Sequence, residues 1–173
     1  MIRVRPGVAD DAAGIGAVHV GAWRSAYAGI LPDAYLMQLS VPRQAAYYQA
    51  GMLCGRAAFV AEADGRIIGF ATAGMRRGSL ADGEIETLYV LDDWREQGVG
   101  RQLMQVTARC LARAACRSVF LWVLRDNPSR WFYQRLGGRR AADGQTIVAG
   151  VPIPKTAYVW DPIELLLPTR APS

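Results

Sequence analysis

Two glycines separated by one residue lie between an expected strand and an expected helix, in Arg95-Glu96-Gln97-Gly98-Val99-Gly100, which we call the glycine segment. The apolar run at 88–91 predicts the strand, and apolar residues at helical spacing from Val99 to Cys110 predict the helix. Glycine lets the backbone approach a ligand closely, and the first turn of a helix presents N–H groups without intrahelical partners. The segment therefore predicts a binding site for an anion.

Two carboxylates precede this segment on the same expected strand. Glu84 and Glu86 are two residues apart, so strand alternation predicts that both share one face with Leu88 and Val90. Carboxylates on an interior face cost free energy unless they are solvated or used, for example as a base or an ammonium-binding group. Solvation at the start of the strand is the alternative, because ionised side chains are mostly exposed. Neighbouring acids would help to attract a cationic ligand: Asp82, Asp92 and Asp93.

A second segment with reactive groups follows about 25 residues later, Asn127-Pro128-Ser129-Arg130-Trp131-Phe132-Tyr133-Gln134-Arg135-Leu136-Gly137-Gly138. The phenol of Tyr133, with an ordinary pKa near 10, can protonate a thiolate with a pKa near 8.5, because this proton transfer is uphill in free energy by only about 2 kcal/mol. Taken alone, Tyr133 is better explained as an ordinary helix tyrosine, and Asn127 is equally well explained as a helix cap.

Together the two segments resemble the signatures of the GNAT superfamily, the acyl-CoA-dependent N-acetyltransferases. Its patterns are Arg/Gln-x-x-Gly-x-Gly/Ala directly after a strand and, later, an Asn…Phe-Tyr…Leu-Gly helix. The resemblance covers essentially the whole chain. The sequence departs from it in two places: the spacing from Asn127 to Tyr133 is one residue shorter than usual, and Gly138 stands where an aromatic residue is common.

The resemblance implies how acetyl-CoA would be held. Backbone N–H groups of residues 97–101 would bind the pyrophosphate, with added charge from Arg95 or Arg101; these residues are Gln97, Gly98, Val99, Gly100 and Arg101. The preceding strand would diverge from its neighbour and pair with the pantetheine arm through the main chain of Leu88 and Val90. The Val90 N–H would face the thioester oxygen, and Asn127 and Ser129 would donate or accept hydrogen bonds with the coenzyme.

The resemblance also implies the catalytic roles. Glu84 is the preferred base for the amine, commonly acting through water, whereas Glu86 would bind the ammonium or replace it as the base. Tyr133 would protonate the leaving thiolate. Trp23 and Tyr27 would wall the acceptor pocket, with aromatic core packing as their alternative. The implied reaction is direct attack of a primary amine, of a small molecule or a protein, on acetyl-CoA, with no metal and no covalent enzyme intermediate.

Size and charge restrict the class of protein. The 173 residues fit a single domain, 1–173, and neither a membrane-spanning run nor a signal peptide is expected, which favours the cytoplasm. The net charge is +5, and residues 95–140 contain ten arginines against Glu96 and Asp126. This basic segment suits the anionic coenzyme A. A codon bias is the alternative explanation, because arginine accounts for all basic residues except Lys155.

Two other classes of function remain open, a non-catalytic acyl-CoA-binding or sensor module and a basic nucleic-acid-binding domain. No recognition helix or aromatic RNA-binding signature accompanies the arginines, so no nucleic acid is expected as a partner. His19 is expected to be a packed histidine. A homodimer is plausible from the resemblance alone.

The order of elements predicts a mixed α/β fold, because strands and helices alternate only in the middle third. The resemblance makes this a GNAT fold, with a central, mostly antiparallel, twisted sheet flanked by helices and splayed at the acetyl-CoA site. Strands are expected at 2–5, 57–62, 66–75, 83–91, 118–123, 139–150 and 155–161. Helices are expected from a cap at Asp10 to about Tyr27, after Pro32, from Pro42 to about Leu53, and at 98–116 and 127–136.

Overall fold

A computed structural model describes residues 1–168, which form one seven-stranded sheet and five α-helices. The strands are β1 Ile2–Pro6, β2 Ala57–Ala63, β3 Arg66–Met75, β4 Gly83–Val90, β5 Val119–Leu124, β6 Arg139–Val148 and β7 Val151–Trp160. The helices are α1 Ala12–Ala26, α2 Asp33–Met37, α3 Val41–Leu53, α4 Val99–Arg113 and α5 Arg130–Arg135. Short 3-10 turns lie at Ala9–Asp11, Asp92–Trp94 and Ile163–Leu166. No helix in this part of the chain is both long and apolar enough to cross a membrane.

The strands follow the order β1-β2-β3-β4-β5-β7-β6, and every neighbouring pair is antiparallel except β4 and β5. The prediction of a mixed, mostly antiparallel sheet is confirmed. The parallel pair requires a long connection, which α4 supplies. Helices α1 and α3 cover one face of the sheet, with Ile15 and Tyr48 against Phe70, and we call this the α1 face. Helix α4 covers the other, with Leu103 against Ala71, and we call it the α4 face.

The sheet is splayed between β4 and β5, as predicted. These strands pair only at Gly83 with Val119 and at Glu84 with Phe120. Beyond this point the two strands diverge, so the carboxyl-terminal half of β4 has a strand partner on one side only.

A β-bulge in β4 overturns one expectation about side-chain direction. Thr87 pairs with Thr72 of β3, but the next pair along β3 is Ala73 with Ile85, so one residue of β4 is extra. The extra residue breaks the strand alternation. Leu88 and Val90 therefore pack on the α4 face, whereas Glu84 and Glu86 turn to the α1 face, where their partners lie. The prediction that all four side chains share one face was wrong.

The start of α1 also differs from the prediction. Asp10 does not cap the helix; Asp11 occupies the N-cap position, without a capping bond from its side chain. The Asp11 carboxylate instead accepts hydrogen bonds from the Arg5 guanidinium, at 2.7 and 2.8 Å, and from the Val8 N–H, at 2.9 Å. The Arg5 guanidinium holds the pKa of Asp11 below its usual value, against the effect of burial. This contact joins β1 to the segment that precedes α1.

His19 is a core residue, as expected. It is 7% exposed, its Nδ1 lies 2.8 Å from the Tyr48 hydroxyl, and its ring stacks on Trp23 at 4.8 Å. Burial lowers the pKa of His19 to about 4, so the imidazole is neutral at physiological pH.

The structure explains the unusual glycine at 138. A Cβ atom built there would lie 2.7 Å from the Trp160 ring and 2.9 Å from the Tyr133 carbonyl oxygen. Trp160 is fully buried, and its indole N–H donates to the Leu136 carbonyl at 3.0 Å. The indole from β7 therefore fills the space beside Gly138, so a side chain at 138 has no room.

Substitution Gly138→Ala is expected to lower the free energy of unfolding by about 1–3 kcal/mol, because the new methyl group overpacks a filled core. Gly51→Ala is the matched control: its methyl group would lie 3.4 Å from the flexible Arg56 side chain and would raise helix propensity. Urea denaturation measures both variants. Equal stability of the two variants would show that the Trp160 contact does not restrict position 138.

Candidate active site

A cleft of about 740 Å³ opens where β4 and β5 diverge. Its walls come from α1, β4, the glycine segment, β5, the start of α5 and the β6–β7 hairpin. Most of the predicted site residues line it: Trp23, Tyr27, Glu84, Glu86, Leu88, Val90, Arg95, Gly98, Gly100, Arg101, Asn127, Ser129 and Tyr133. Two others, Gln97 and Val99, do not line it.

The main chain of β4 faces the cleft at Leu88 and Val90. The Leu91 N–H donates to the Ile68 carbonyl of β3 at 2.9 Å, so the main-chain groups of Leu91 point towards β3. Successive residues of an antiparallel strand direct their main-chain groups to opposite sides. The N–H and C=O groups of Leu88 and Val90 therefore point into the gap that β5 has left.

The glycine segment lies at the mouth of the same gap. Glu96 and Gly98 have left-handed φ angles of +61° and +80°, and α4 begins at the following Val99. This geometry exposes the first N–H groups of α4, a fifteen-residue helix whose amino-terminal end carries partial positive charge. Val99 is 1% exposed and packs in the core, and the Gln97 side chain donates to the Asp93 carbonyl at 2.9 Å. Val99 can therefore contribute only main-chain groups to a ligand, and the Gln97 side-chain nitrogen already has a main-chain partner.

An ion pair secures the arginine of this segment. The Arg95 guanidinium lies 2.9 Å from the Asp92 carboxylate, which also accepts a hydrogen bond from the Ser25 hydroxyl of α1. The segment is thus tied to the end of α1. Asp92 was expected to form one acidic cluster with Asp82, but the structure separates them: Asp82 accepts from the Arg117 N–H at the opposite end of β4.

Glu84 and Glu86 form an ion-paired cluster at the base of the splay. Arg76 bridges them, with Nε 2.8 Å from Glu84 and Nη2 2.7 Å from Glu86, and Arg56 Nε lies 3.5 Å from Glu86. The two carboxylate side chains are 17% and 16% exposed, so they are neither freely solvated nor isolated. Burial raises the pKa of Glu84, and Arg76 opposes that rise. Sequence reasoning missed Arg76, although it directly follows the strand that pairs with β4.

Tyr133 lies on α5 and is 6% exposed. Burial raises the pKa of its phenol above the ordinary value, so the hydroxyl stays protonated at neutral pH. The helix is shorter than predicted and begins at Arg130. Before it, the Asn127 side-chain oxygen accepts a hydrogen bond from the Ser129 N–H at 2.9 Å, which forms the turn into α5. The side-chain oxygen of Asn127 therefore has a structural partner.

Trp23 and Tyr27 lie where α1 reaches the cleft, with ring centroids 4.9 Å apart and perpendicular planes. Tyr27 packs with Leu31 of the α1–α2 connection and Ile153 of β7, so the β6–β7 hairpin closes this end of the cleft. Their positions fit both core packing and a pocket wall. Sequence reasoning missed cleft residues of β5, β6 and β7, since strand patterns do not show which strands meet: Trp122, Thr146 and Lys155.

Comparisons with known proteins give a consistent result. The model of the acetyltransferase (GNAT) family matches residues 23–138. The uncharacterized N-acetyltransferase YuaI of Bacillus subtilis (strain 168) is 33% identical over 169 residues, 96% of this chain and 96% of the relative.

Two solved structures share the fold. A GCN5-related N-acetyltransferase from Rhodopseudomonas palustris superposes with a TM-score of 0.73 at 20% identity, covering 92% of this chain and 94% of that one. The structure of yncA from Salmonella typhimurium, solved with its cofactor acetyl-CoA, has a TM-score of 0.70 at 21% identity and covers 100% and 98% of the two chains. The family model spans most of the chain and the Bacillus relative aligns along nearly its whole length, so this chain belongs to the acetyltransferase (GNAT) family.

Proposed function

We propose that this protein transfers the acetyl group of acetyl-CoA to a primary amine by direct attack of the amine on the thioester. One observation carries the proposal: β4 leaves β5 after two residue pairs, and the resulting gap opens onto the glycine segment and the amino-terminal end of α4. A gap between strands suits an extended pantetheine arm, and a helix amino terminus suits a pyrophosphate.

In the proposed complex the coenzyme takes the place of the missing strand. The main-chain groups of Leu88 and Val90 hydrogen-bond the pantetheine amides, and the Val90 N–H stabilises the oxyanion that forms on the thioester. The pyrophosphate lies on the N–H groups of residues 97–101, and Arg95 and Arg101 add positive charge. Asn127 and Ser129 bind the coenzyme from the β5–α5 side. The Salmonella structure with acetyl-CoA supports this assignment, because its fold matches along the whole of this chain.

Glu84 serves as the base that removes a proton from the amine, directly or through water. Burial raises its pKa, which makes it a better proton acceptor than an ordinary glutamate, and Arg76, 2.8 Å away, favours its ionised form. Glu86 contacts both Arg76 and Arg56, so it keeps Arg76 in place beside Glu84, and it is the alternative candidate for the base.

Tyr133 then protonates the thiolate of coenzyme A as the carbon–sulfur bond breaks. Direct attack fits the composition of the cleft walls, because none of the three cysteines lines the cleft within residues 1–168. In this step the amine nitrogen forms the new bond to the acetyl carbon, the carbon–sulfur bond breaks, and the proton that the amine loses passes to Glu84.

Calorimetric titration with acetyl-CoA, followed by thiol release from the same sample with a panel of amines, tests the proposal. We expect saturable binding and thiol release that depends on the amine. Binding without release from any amine would favour the acyl-CoA-binding module, and absence of binding would overturn the proposal.

Gly98→Val is expected to weaken acetyl-CoA binding at least about tenfold, since a branched side chain disfavours the left-handed backbone that exposes the helix N–H groups. Gly65→Val is the control: its φ is +74° against +80° at Gly98, and both positions have open space around the Cβ. Both variants should lose similar stability in thermal unfolding, but only Gly98→Val should lose affinity in calorimetry. Equal affinities would show that the pyrophosphate does not bind at this segment.

Glu84→Gln is expected to lower kcat/KM roughly a hundredfold or more, and Glu86→Gln less. The pH profile gives a second readout. Activity requires ionised Glu84, so it should be full above the raised pKa of Glu84 and fall as pH drops through that pKa, at a higher pH than an ordinary glutamate would give. This acid limb should disappear in Glu84→Gln. A limb that persists there and disappears in Glu86→Gln would assign the base to Glu86.

Tyr133→Phe is expected to lower kcat roughly a hundredfold while acetyl-CoA affinity stays the same, because only the proton donor is removed. Tyr158→Phe is the control, since Tyr158 also lies in the core, with its ring 6.2 Å from that of Tyr133, but outside the cleft walls. Single-turnover kinetics and calorimetry separate the two effects. An unchanged kcat in Tyr133→Phe would remove the acid role from this residue.

A further inference from the structure

The side of the cleft opposite the carboxylates carries a positioned cation. Lys155, the only lysine of the chain, lies on β7 with its ammonium 4.3 Å from the centre of the Trp122 ring. Both side chains line the cleft. Gly144 pairs with Lys155 across β6 and β7, and a Cβ there would already touch both side chains, at 3.4 and 3.5 Å. The glycine thus leaves room for the lysine to lie along the indole.

Strand pairing places this cation on the same face as the candidate base. Glu84 pairs with Phe120, and Trp122 lies two residues further along β5. Lys155 pairs with Leu124, two residues further again. Residues two apart on a regular strand share a face, and so do paired residues of neighbouring strands. Glu84, Trp122 and Lys155 therefore project together from the α1 face of the splayed sheet.

The charges of the group formed by Lys155, the two carboxylates and their arginine partners do not balance. The carboxylates of Glu84 and Glu86 are already paired with the guanidinium groups of Arg76 and Arg56. The Lys155 ammonium forms no ion pair within the described part of the chain, residues 1–168. The group as a whole has three cations and two anions, an excess of one positive charge that an anionic group on a ligand would neutralise.

We propose that the acceptor is a small amino acid-like molecule, whose carboxylate binds Lys155 while its amine lies at Glu84. The inference rests on the proposed acetyl transfer and narrows its acceptor. In its reactive form, with a neutral amine, an amino acid carries one negative charge, which would neutralise the one excess positive charge of this group. A polyamine would instead add cations to a face whose acids already have partners. An ammonium stacked on an indole keeps its N–H donors free for a carboxylate.

The inference is tested with L-amino acids and their carboxamides as paired acceptors, at saturating acetyl-CoA, by thiol release. Wild-type protein is expected to favour the acid over the amide at least about tenfold in kcat/KM for the preferred side chain, as for one charge-assisted hydrogen bond. Lys155→Met keeps the apolar stem on Trp122 and removes the charge, so it should lower this ratio at least about tenfold. An amino acid and its carboxamide differ in the pKa of the amine. This difference affects wild type and variants equally, so it cancels when their acid-to-amide ratios of kcat/KM are compared.

Two controls complete the test. Arg140→Met removes an exposed cation of β6 that lies on the α4 face, paired with Asp143, and it should keep the wild-type ratio. Calorimetry with acetyl-CoA should give the same affinity for Lys155→Met and wild type; a loss of affinity would assign Lys155 to the coenzyme and overturn the inference. Equal kcat/KM of wild-type protein for carboxamides and acids would also overturn the role of Lys155, whereas the proposed acetyl transfer would stand. No thiol release with any acceptor would overturn both.

Discussion

The separation of β4 from β5 is the constraint on which the arrangement of the cleft depends. Two residue pairs join the strands, after which the main-chain groups of Leu88 and Val90 have no strand to pair with. Unpaired main-chain groups in a protein interior are costly, so a cleft beside such a strand favours a ligand that supplies amide partners. Helix α4 connects these same strands, and its exposed amino-terminal end therefore lies at the mouth of the gap that the strands create.

The β-bulge at Glu86 places the side chains on its two sides on different faces of the sheet. Leu88 and Val90 pack their side chains against α4, which fixes the main chain that faces the gap. Glu84 and Glu86 turn to the α1 face instead, where Arg76 and Arg56 hold them. A regular strand would direct all four side chains to one face, and the carboxylates would then compete with the α4 core. One extra residue thus separates the main chain of β4 that faces the gap from the carboxylates on the α1 face, as the proposed binding of coenzyme and acceptor requires.

The sequence predicted the order of elements, because hydrophobic periodicity is a local signal, and its resemblance to the GNAT superfamily implied the mostly antiparallel sheet. It also located the glycine segment, whose strand, loop and helix are continuous in the chain. It could not predict the bulge, since pairing register depends on contacts with β3, or the Arg76 bridge, which depends on that register. The prediction of Asp10 as the cap of α1 was wrong. Asp11 takes the N-cap position and accepts a hydrogen bond from Arg5, which lies on a separate strand. Lys155 was treated as an exception to an arginine bias, and only the adjacency of β5 and β7 places it in the cleft.

A crystal structure of the protein with acetyl-CoA is the most direct test of the proposed site. We expect the pantetheine arm between β4 and β5, hydrogen-bonded to the main chain of Leu88 and Val90, with the pyrophosphate on residues 97–101 and the thioester sulfur within reach of the Tyr133 hydroxyl. A coenzyme bound elsewhere, or β5 closed onto β4 along its length, would contradict the assignment of the splay as the coenzyme site.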